Sequence, residues 1–184
     1  MVNEKDNTKI SKFLSLVLRH HPETIGIILD ENGWTDVKTL ISKMNQKGAS
    51  VDFPLLKHIV DTNTKKRFAF NDTFDKIRAS QGHSIEIDLG YPAKTPPEIL
   101  FHGTAQKSVG SILTNGLQKM DRQHVHLSLN IETATNVGQR HGKPFIFEVL
   151  ARQMHEDGYT FYLSENGVWL TDNVPVAYLK YKDF

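Results

Sequence analysis

The chain has 184 residues, of which 39% are hydrophobic and 23% charged, and this composition suits one large globular domain or two smaller lobes. The absence of cysteine excludes disulfides, thiolate nucleophiles and cysteine-held metal centres, and the formal net charge of +1 excludes a uniformly cationic nucleic-acid coat. The polar start has no secretory signal and no apolar run approaches the roughly 20 residues that span a bilayer, so we expect a cytoplasmic protein without membrane contact.

The first predicted element is an amphipathic helix that starts at Asn7 or Thr8 and stops at Pro22. An α-helix turns by about 100° per residue, so Arg19 lies almost opposite the centre of the helix's apolar stripe. The Arg19 side chain is therefore aimed at solvent or a ligand, and His20 lies on the flank of the stripe. Both residues also have ordinary explanations, as a charge favoured by the helix dipole and as a helix cap. The stripe consists of Ile10, Phe13, Leu14, Val17 and Leu18.

After this helix, the sequence of the first lobe predicts a short strand, two helices and a β-hairpin. In chain order these are a strand at 25–29, a helix from Thr35 or Asp36 to Gly48, a helix from Asp52 with Pro54 in its first turn, and hairpin strands at 67–70 and 76–79. Three helices followed by a hairpin are typical of a winged helix. Lys65, Lys66, Arg67 and Arg78 would then give the wing a positive charge, although the 65–67 segment also fits an ordinary solvated turn.

The composition changes at the three prolines of 91–97, which we interpret as a linker between a lobe at 1–90 and a lobe at 98–184. The sequence of the second lobe predicts many strands and two short helices without regular βαβ alternation. We therefore predict the α+β fold class. Its predicted strands are 99–102, 125–129, 145–150, 159–163, 168–170 and 177–181, and its predicted helices are 108–115 and 132–139.

The segment His102-Gly103-Thr104 ends a predicted strand and precedes a predicted helix. An imidazole can bond a ribose hydroxyl and a glycine lets backbone groups approach a flat carboxamide, so the segment suits a dinucleotide site; it also fits a plain turn with a capping threonine. The sequence has no Gly-x-Gly-x-x-Gly, which disfavours a Rossmann site. Its histidines form no helical ligand pair and have no flanking acidic cluster, so we expect no metal site.

Three segments resemble the motifs of the ADP-ribosyltransferase fold shared by poly(ADP-ribose) polymerases and diphtheria toxin. Leu100–Thr104 is similar to the opening motif, and His124–Ser128 to the second motif, with His126 where those enzymes usually have tyrosine. In Asn166–Thr171, Val168 stands where their catalytic glutamate is expected, which argues against protein ADP-ribosylation. The resemblance implies that NAD is held by His102, Gly103, Thr104, His126 and Ser128.

As a whole the chain resembles the RNA 2′-phosphotransferases, also called tRNA splicing 2′-phosphotransferases. The stretches that carry this resemblance are 11–20, 65–68, 77–84, the first two motifs above and 138–142. The resemblance implies an N-terminal winged-helix lobe that binds RNA and a C-terminal ADP-ribosyltransferase-like lobe that binds NAD. The family has an essential set of arginine, histidine, arginine and arginine, which maps onto Arg19, His20, Arg67 and Arg140. Weaker candidates for contacts with the substrate RNA are Lys66, Arg78, Gln81 and His83.

The reaction implied by this resemblance removes an internal 2′-phosphate from tRNA-like RNA and transfers it to ADP-ribose. An RNA-2′-phospho-ADP-ribose intermediate forms, and nicotinamide and ADP-ribose 1″,2″-cyclic phosphate are released. A phosphate monoester carries about −1.5 to −2 charge at neutral pH, so it attacks without a general base, which fits the missing glutamate. We expect NAD to be consumed as a co-substrate, no metal to be needed, and the protein to be a monomer.

Two alternatives stay open at this point. One is an ADP-ribosyltransferase that leaves ADP-ribose attached to its acceptor, including terminal nucleic-acid phosphates. The other is a winged-helix DNA-binding regulator that senses NAD. A regulator of this kind would bind duplex DNA with a strong salt dependence and would turn nothing over.

Overall fold

The computed structural model describes residues 4–181 and divides the chain into two compact units, one ending at Gly90 (unit 1) and one beginning at Tyr91 (unit 2). Both units combine helices with short antiparallel strands, so the α+β class is confirmed. Within the described range, every helix is too short or too polar to cross a membrane.

Two helices of unit 1 begin at the residues where the sequence predicted their start. The Asp36 carboxylate accepts a hydrogen bond from the Thr39 amide at 2.6 Å, and the Asp52 carboxylate accepts one from the Leu55 amide at 2.9 Å. Each satisfies an amide that has no partner within its own helix. The helices of this unit are α1 (Glu4–Arg19), α2 (Val37–Gln46) and α3 (Phe53–Thr62).

Unit 1 also contains the predicted hairpin, as part of a three-stranded antiparallel sheet. The central strand is paired on both sides, because Ile77 lies opposite Phe70 in the hairpin and opposite Thr35 in a short third strand. The α1 stripe packs against this sheet, and Leu14, Val17 and Leu18 are fully buried. In sheet order the strands are β1 (Thr35–Asp36), β3 (Lys76–Ala79) and β2 (Phe68–Phe70).

Two secondary-structure predictions for unit 1 are wrong. Residues 25–29 form no strand; Ile25 and Ile27 are buried while Ile28 is 86% exposed, so the alternation reflects side-chain burial without a hydrogen-bonded partner strand. Asn7 and Thr8 do not cap α1, since the helix already begins at Glu4.

The strands of unit 2 form three small antiparallel sheets. Their orders are β11-β7-β4, β6-β9-β8 and β10-β5. A bridge between Phe101 and Ser128 joins β4 to the end of β6, and the two residues exchange amide-to-carbonyl hydrogen bonds of 2.9 and 2.7 Å. The strands are β4 (Leu100–Ala105), β5 (Leu117–Gln118), β6 (Val125–Leu127), β7 (Pro144–Val149), β8 (Tyr162–Leu163), β9 (Trp169–Thr171), β10 (Asn173–Val174) and β11 (Leu179–Lys180).

Unit 2 has three helices, of which the first two were predicted: α4 (Val109–Asn115), α5 (Ile131–Gly138) and α6 (Ala151–Glu156). Helix α5 lies so close to β4 that a Cβ atom on Gly103 would come within 1.7 Å of the Ala134 carbonyl oxygen. Only glycine fits there. His102 is in the middle of β4, which continues to Ala105, and does not end a strand as predicted.

Candidate active site

The end of α1 and the start of the hairpin bring together a basic cluster, defined as Arg19, His20 and Arg67. The Arg19 guanidinium donates a long hydrogen bond of 3.5 Å to the Arg67 carbonyl oxygen. Its Cζ atom lies 5.9 Å from the centre of the Phe68 ring. Arg19 is therefore half-buried and directed along the hairpin. These contacts give one of the cluster's guanidinium groups a defined orientation.

Ser84 contacts both Arg19, the last residue of α1, and His20, which follows it. Its hydroxyl oxygen lies 2.9 Å from Nδ1 of His20, and its amide donates to the Arg19 carbonyl at 3.0 Å. The second bond satisfies a carbonyl at the end of α1, where helical partners run out. Ser84 was not among the predicted site residues. The available signal was its place in the 77–84 stretch that carries the family resemblance.

His83 lies in the interior of unit 1 and is 1% exposed. Burial is the largest cause that lowers the pKa of His83 to about 4, and nearby cationic side chains lower it further, while a weak interaction with the Leu18 backbone opposes the shift. Neither ring nitrogen has a hydrogen bond of good geometry to the described residues. His83 is therefore neutral at pH 7, and its burial does not fit the predicted contact with RNA. The groups whose electrostatic interaction contributes to this shift are Arg19, His20 and Arg78.

Arg78 is also buried, with 7% of its surface exposed, so its predicted position on a charged wing is wrong. Its Cζ atom lies 4.5 Å from the centre of the Trp34 ring, and Nη1 donates to the Leu89 carbonyl at 3.1 Å. These partners lie far away in sequence, which is why the hairpin pattern gave no sign of them. Of the other weaker candidates, Lys66 is exposed and Gln81 is half-buried.

The segment that holds Arg67 is fixed by backbone contacts. Lys66 has a positive φ of 41°, its amide donates to the Asn63 carbonyl at 2.8 Å, and its carbonyl accepts a bond from the Ser80 hydroxyl at 2.9 Å. The Ser80 amide also donates to the Arg67 carbonyl at 2.9 Å. The segment is a tight turn pinned to β3, and it sets where the Arg67 side chain begins.

Unit 2 contains a histidine pair, defined as His102 on β4 and His126 on β6. Nδ1 of His102 lies 3.1 Å from the His126 carbonyl oxygen. Burial, the largest cause, lowers the pKa of His102; the hydrogen bond to the His126 backbone opposes this shift, and the charge of Arg122 adds to it. His102 is thus a neutral imidazole at pH 7 with a defined ring orientation. The structure brings the two predicted histidines together.

Arg122 completes this arrangement and was not predicted. Its Nη1 atom lies 2.9 Å from Nδ1 of His126. The backbone of Arg122 is held in a turn, since its amide donates to the Lys119 carbonyl at 3.0 Å. A lone arginine in a loop has no periodicity to mark it. Its place four residues before His126 was the only available signal.

The remaining predicted residues of unit 2 have varied surroundings. Thr104 is half-buried and lies on the same face of β4 as His102, because alternate residues of a strand share a face. Ser128 forms the backbone bridge to Phe101. Gly103 has its Cβ position filled by the backbone of α5, so packing explains this glycine without any ligand.

Arg140 is exposed in a single 3-10 turn, Gln139–His141, that follows α5. Gly138 sets this turn close to β4, since a Cβ atom there would come within 2.8 Å of the Thr104 carbonyl oxygen. A guanidinium at this place is accessible to an anionic ligand.

Val168, at the position implied for a catalytic glutamate, lies in the turn between β8 and β9. Its amide donates to the Ser164 hydroxyl at 3.0 Å, and Gly167 beside it has a positive φ of 78°. The turn is thus stabilised by backbone and hydroxyl groups around an apolar side chain. In residues 4–181 we find no group of three or more histidine, aspartate or glutamate side chains that could hold a metal ion.

Comparison with known proteins assigns the chain to a family of transferases. Residues 5–173 match the family model described as "RNA 2'-phosphotransferase, Tpt1 / KptA family", and the chain belongs to this family. It is 55% identical to a protein of Flavobacterium johnsoniae, over 98% of this chain and 100% of that relative. It is 52% identical to a protein of Fusobacterium nucleatum subsp. nucleatum, over 96% of this chain and 99% of that relative. Both relatives are named "Probable RNA 2'-phosphotransferase".

Proposed function

We propose that the protein is an NAD-dependent RNA 2′-phosphotransferase that moves an internal 2′-phosphate from tRNA-like RNA to ADP-ribose. The observation that carries this proposal is the contact of Arg19 with Arg67 beside His20, at positions where the family resemblance implies phosphate ligands. Guanidinium groups suit this role because their forked donors match phosphate oxygens and stay charged at any physiological pH.

We assign the two units to the two substrates. Unit 1 has three helices followed by a hairpin in a small antiparallel sheet, which supports a winged-helix lobe at 1–90 that binds RNA. Unit 2 carries the histidine pair on two joined sheets, which supports an ADP-ribosyltransferase-like lobe at 98–184 that binds NAD, with 91–97 as the linker.

The donor and acceptor groups of unit 2 fit a dinucleotide. The neutral imidazole of His102 and the hydroxyls of Thr104 and Ser128 can exchange hydrogen bonds with ribose hydroxyls and with a carboxamide. His126 adds a second oriented imidazole beside them. On this proposal NAD is a substrate that is consumed, and these residues hold it.

In the first step, an oxygen of the RNA 2′-phosphate attacks C1″ of the NAD ribose. A carbon–oxygen bond forms, the glycosidic bond breaks, and nicotinamide leaves with the bonding electron pair. The phosphate is already ionised, so no base is needed, and an apolar Val168 at the glutamate position fits this chemistry. Arg19 and Arg67 grip and orient the phosphate.

In the second step, the ribose 2″-hydroxyl of the intermediate attacks phosphorus. The bond from phosphorus to the RNA 2′-oxygen breaks, the RNA regains its 2′-hydroxyl, and ADP-ribose 1″,2″-cyclic phosphate is released. We assign His20 to carry the proton between the entering and leaving oxygens, and Arg140 to stabilise the phosphate that bridges ribose and RNA. Exposed Lys66 and half-buried Gln81 would contact the RNA backbone. The arginines supply the positive charge, so the scheme requires no metal.

The test is to incubate RNA carrying one internal 2′-phosphate with the protein, with and without NAD and with and without a chelator, and to identify every product. We expect dephosphorylated RNA, nicotinamide and the cyclic phosphate only when NAD is present, with no effect of the chelator. Release of inorganic phosphate without NAD would contradict the proposal. Stable ADP-ribosylated RNA as the end product would instead indicate a transferase that stops after the first step.

A further inference from the structure

The three-stranded sheet β6-β9-β8 of unit 2 has one face turned to the interior and one face that is only partly covered. Residues directly opposite each other in antiparallel strands have their side chains on the same face, and successive residues alternate between faces. On the inner face, Trp169 of β9 lies opposite Leu127 of β6 and opposite Leu163 of β8. Leu127 and Trp169 belong to the hydrophobic core of this unit, and Leu163 packs against it, so this face stabilises the fold.

The other face carries a row of three side chains, one from each strand. His126 lies opposite Leu170, and Leu170 lies opposite Tyr162. Leu170 is 1% exposed, whereas the histidine and the tyrosine on either side of it are half-buried. The row thus has an apolar centre between two partly accessible side chains. Since neighbouring strands are about 4.8 Å apart, about 10 Å separates the backbones of His126 and Tyr162.

The backbone of Tyr162 is held on both edges of β8. On one edge it pairs with β9, and on the other it forms a bridge to Ala93. The amide of Lys94 donates a hydrogen bond of 2.8 Å to the Phe161 carbonyl beside this bridge. The Tyr162 ring also contacts the ring of His124, with centroids 5.6 Å apart and ring planes inclined at 63°. The tyrosine side chain therefore starts from a fixed position and has a defined neighbour.

The ring of Tyr162 offers a flat surface to a ligand. One neighbouring ring covers at most one of the two faces of a phenol, and Tyr162 as a whole is half-buried. The face of a tyrosine ring carries negative charge density and attracts a cation placed over it. The nicotinamide ring of NAD is flat and positively charged until the glycosidic bond breaks, and it is neutral once it has left. The tyrosine face therefore suits the bound co-substrate better than the departing product.

We propose that Tyr162 is a further binding residue for NAD, whose ring stacks on the nicotinamide ring, while Leu170 forms the apolar floor between Tyr162 and His126. This rests on the proposed function for the identity of the ligand. With His126 holding the attached ribose, a span of about 10 Å accommodates the ribose and the nicotinamide ring bonded to it. Tyr162 is assigned no contact with the attacking phosphate and no proton transfer, so its loss should weaken binding more than chemistry.

The first experiment measures binding by titration calorimetry without RNA, using two probes that differ in the proposed contact. NAD carries nicotinamide, and ADP-ribose is the same molecule without it. We expect Tyr162→Ala to weaken NAD binding about tenfold, the usual loss for one stacked aromatic contact, and to leave ADP-ribose binding nearly unchanged. Tyr162→Phe keeps the aromatic face and should bind NAD like the natural protein. Leu163→Ala is the matched control, because it shortens the next side chain of β8 on the inner face and should change neither affinity much.

The second experiment locates the contact. In protein that is deuterated except at its five tyrosines, we expect magnetisation transfer from tyrosine ring protons to the nicotinamide protons of bound NAD. This transfer should vanish in Tyr162→Phe, because that variant binds NAD but has no protonated ring at this position.

Several results would overturn the proposal alone. They are transfer that persists in Tyr162→Phe, natural NAD affinity in Tyr162→Ala, and equal losses for NAD and ADP-ribose in that variant. A rise in KM for RNA with unchanged NAD binding would also overturn it, and would assign this ring to an RNA base. A natural protein that binds neither NAD nor ADP-ribose would instead overturn the proposed function.

Discussion

The basic cluster of unit 1 and the histidine pair of unit 2 use the same side chains in opposite ways. In unit 1 the arginines provide charge, and the histidine buried beneath them is neutral and lacks a well-formed hydrogen bond. In unit 2 the histidines are the proposed ligand-binding groups, and an arginine and a backbone carbonyl contact their rings. A site for a phosphate needs charge above all, while a site for a sugar needs correctly directed donors and acceptors. The two units should therefore respond differently to equivalent substitutions.

The largest effect should come from removing charge from the basic cluster. Arg67→Ala should lower kcat/KM for 2′-phosphorylated RNA by about 10²–10³, as is usual when one preorganised donor to a reacting phosphate or oxyanion is lost. Lys76→Ala is the matched control, since it removes an exposed charge from the adjacent strand and should change the rate little. Equal losses of kcat/KM in the two variants would mean that Arg67 attracts RNA through its charge alone and does not bind the phosphate specifically.

The buried histidine of unit 1 should make folding stability depend on acid. The folded state lowers the pKa of His83 from 6.5 to about 4, so between these values the unfolded chain binds more protons. Stability should therefore fall as the pH drops from about 6.5 to 4, by up to about 3 kcal/mol from this group. His83→Gln should flatten that part of a urea-denaturation profile, whereas His58→Gln, at an exposed helix position, should not. An unchanged slope in His83→Gln would contradict a neutral buried His83.

The packing of α5 on β4 should matter to unit 2 more than any single ligand contact of Gly103. In Gly103→Ala the new methyl group would overlap the Ala134 carbonyl, and the backbone must shift, at a cost of about 1–3 kcal/mol. Gly110→Ala is the control, because nothing lies within 4 Å of its Cβ position. Thermal or urea unfolding measures both. If Gly103→Ala keeps the stability of the natural protein but binds NAD poorly, the packing explanation is contradicted and Gly103 contacts NAD as the sequence suggested.

A smaller effect is expected from Ser84, the residue of unit 1 whose side chain contacts a histidine ring as that of Arg122 does in unit 2. Ser84→Ala removes the hydroxyl 2.9 Å from His20 Nδ1, and we expect kcat to fall several-fold with KM for RNA almost unchanged. Ser84→Thr should recover most of the rate. Ser15→Ala, which removes a hydroxyl bonded within α1, should keep the natural kcat. A rise in KM alone would show that Ser84 contacts RNA and does not orient His20.

Much of unit 1 could be predicted because its signals are local. The apolar stripe of α1, the capping aspartates of α2 and α3, and the hairpin each depend on residues close in sequence. Strands β1, β5 and β10 have two residues each and carry no periodicity, so they could not be predicted.

The candidate site was predictable only in part. The resemblance selected Arg19, His20 and Arg67; in the structure the Arg19 guanidinium reaches the Arg67 carbonyl, and the His20 ring contacts Ser84. It could not reveal that Arg78 stacks on Trp34 in the interior, because that contact joins residues from separate elements. Burial and contacts between loops depend on the complete fold, which is why the burial of His83 and the contact of Arg122 with His126 emerged only from the structure.

The most direct test of the account is a quenched time course that resolves substrate, RNA-2′-phospho-ADP-ribose and product RNA while nicotinamide is measured in parallel. His20 and Arg140 are assigned to the second step, where negative charge redistributes at phosphorus and a proton changes place. We predict that His20→Ala and Arg140→Ala release nicotinamide at a near-natural rate, form product about 10²-fold more slowly, and let the intermediate accumulate. Loss of nicotinamide release as severe as the loss of product, with no accumulated intermediate, would contradict the assignment of these two residues to the second step.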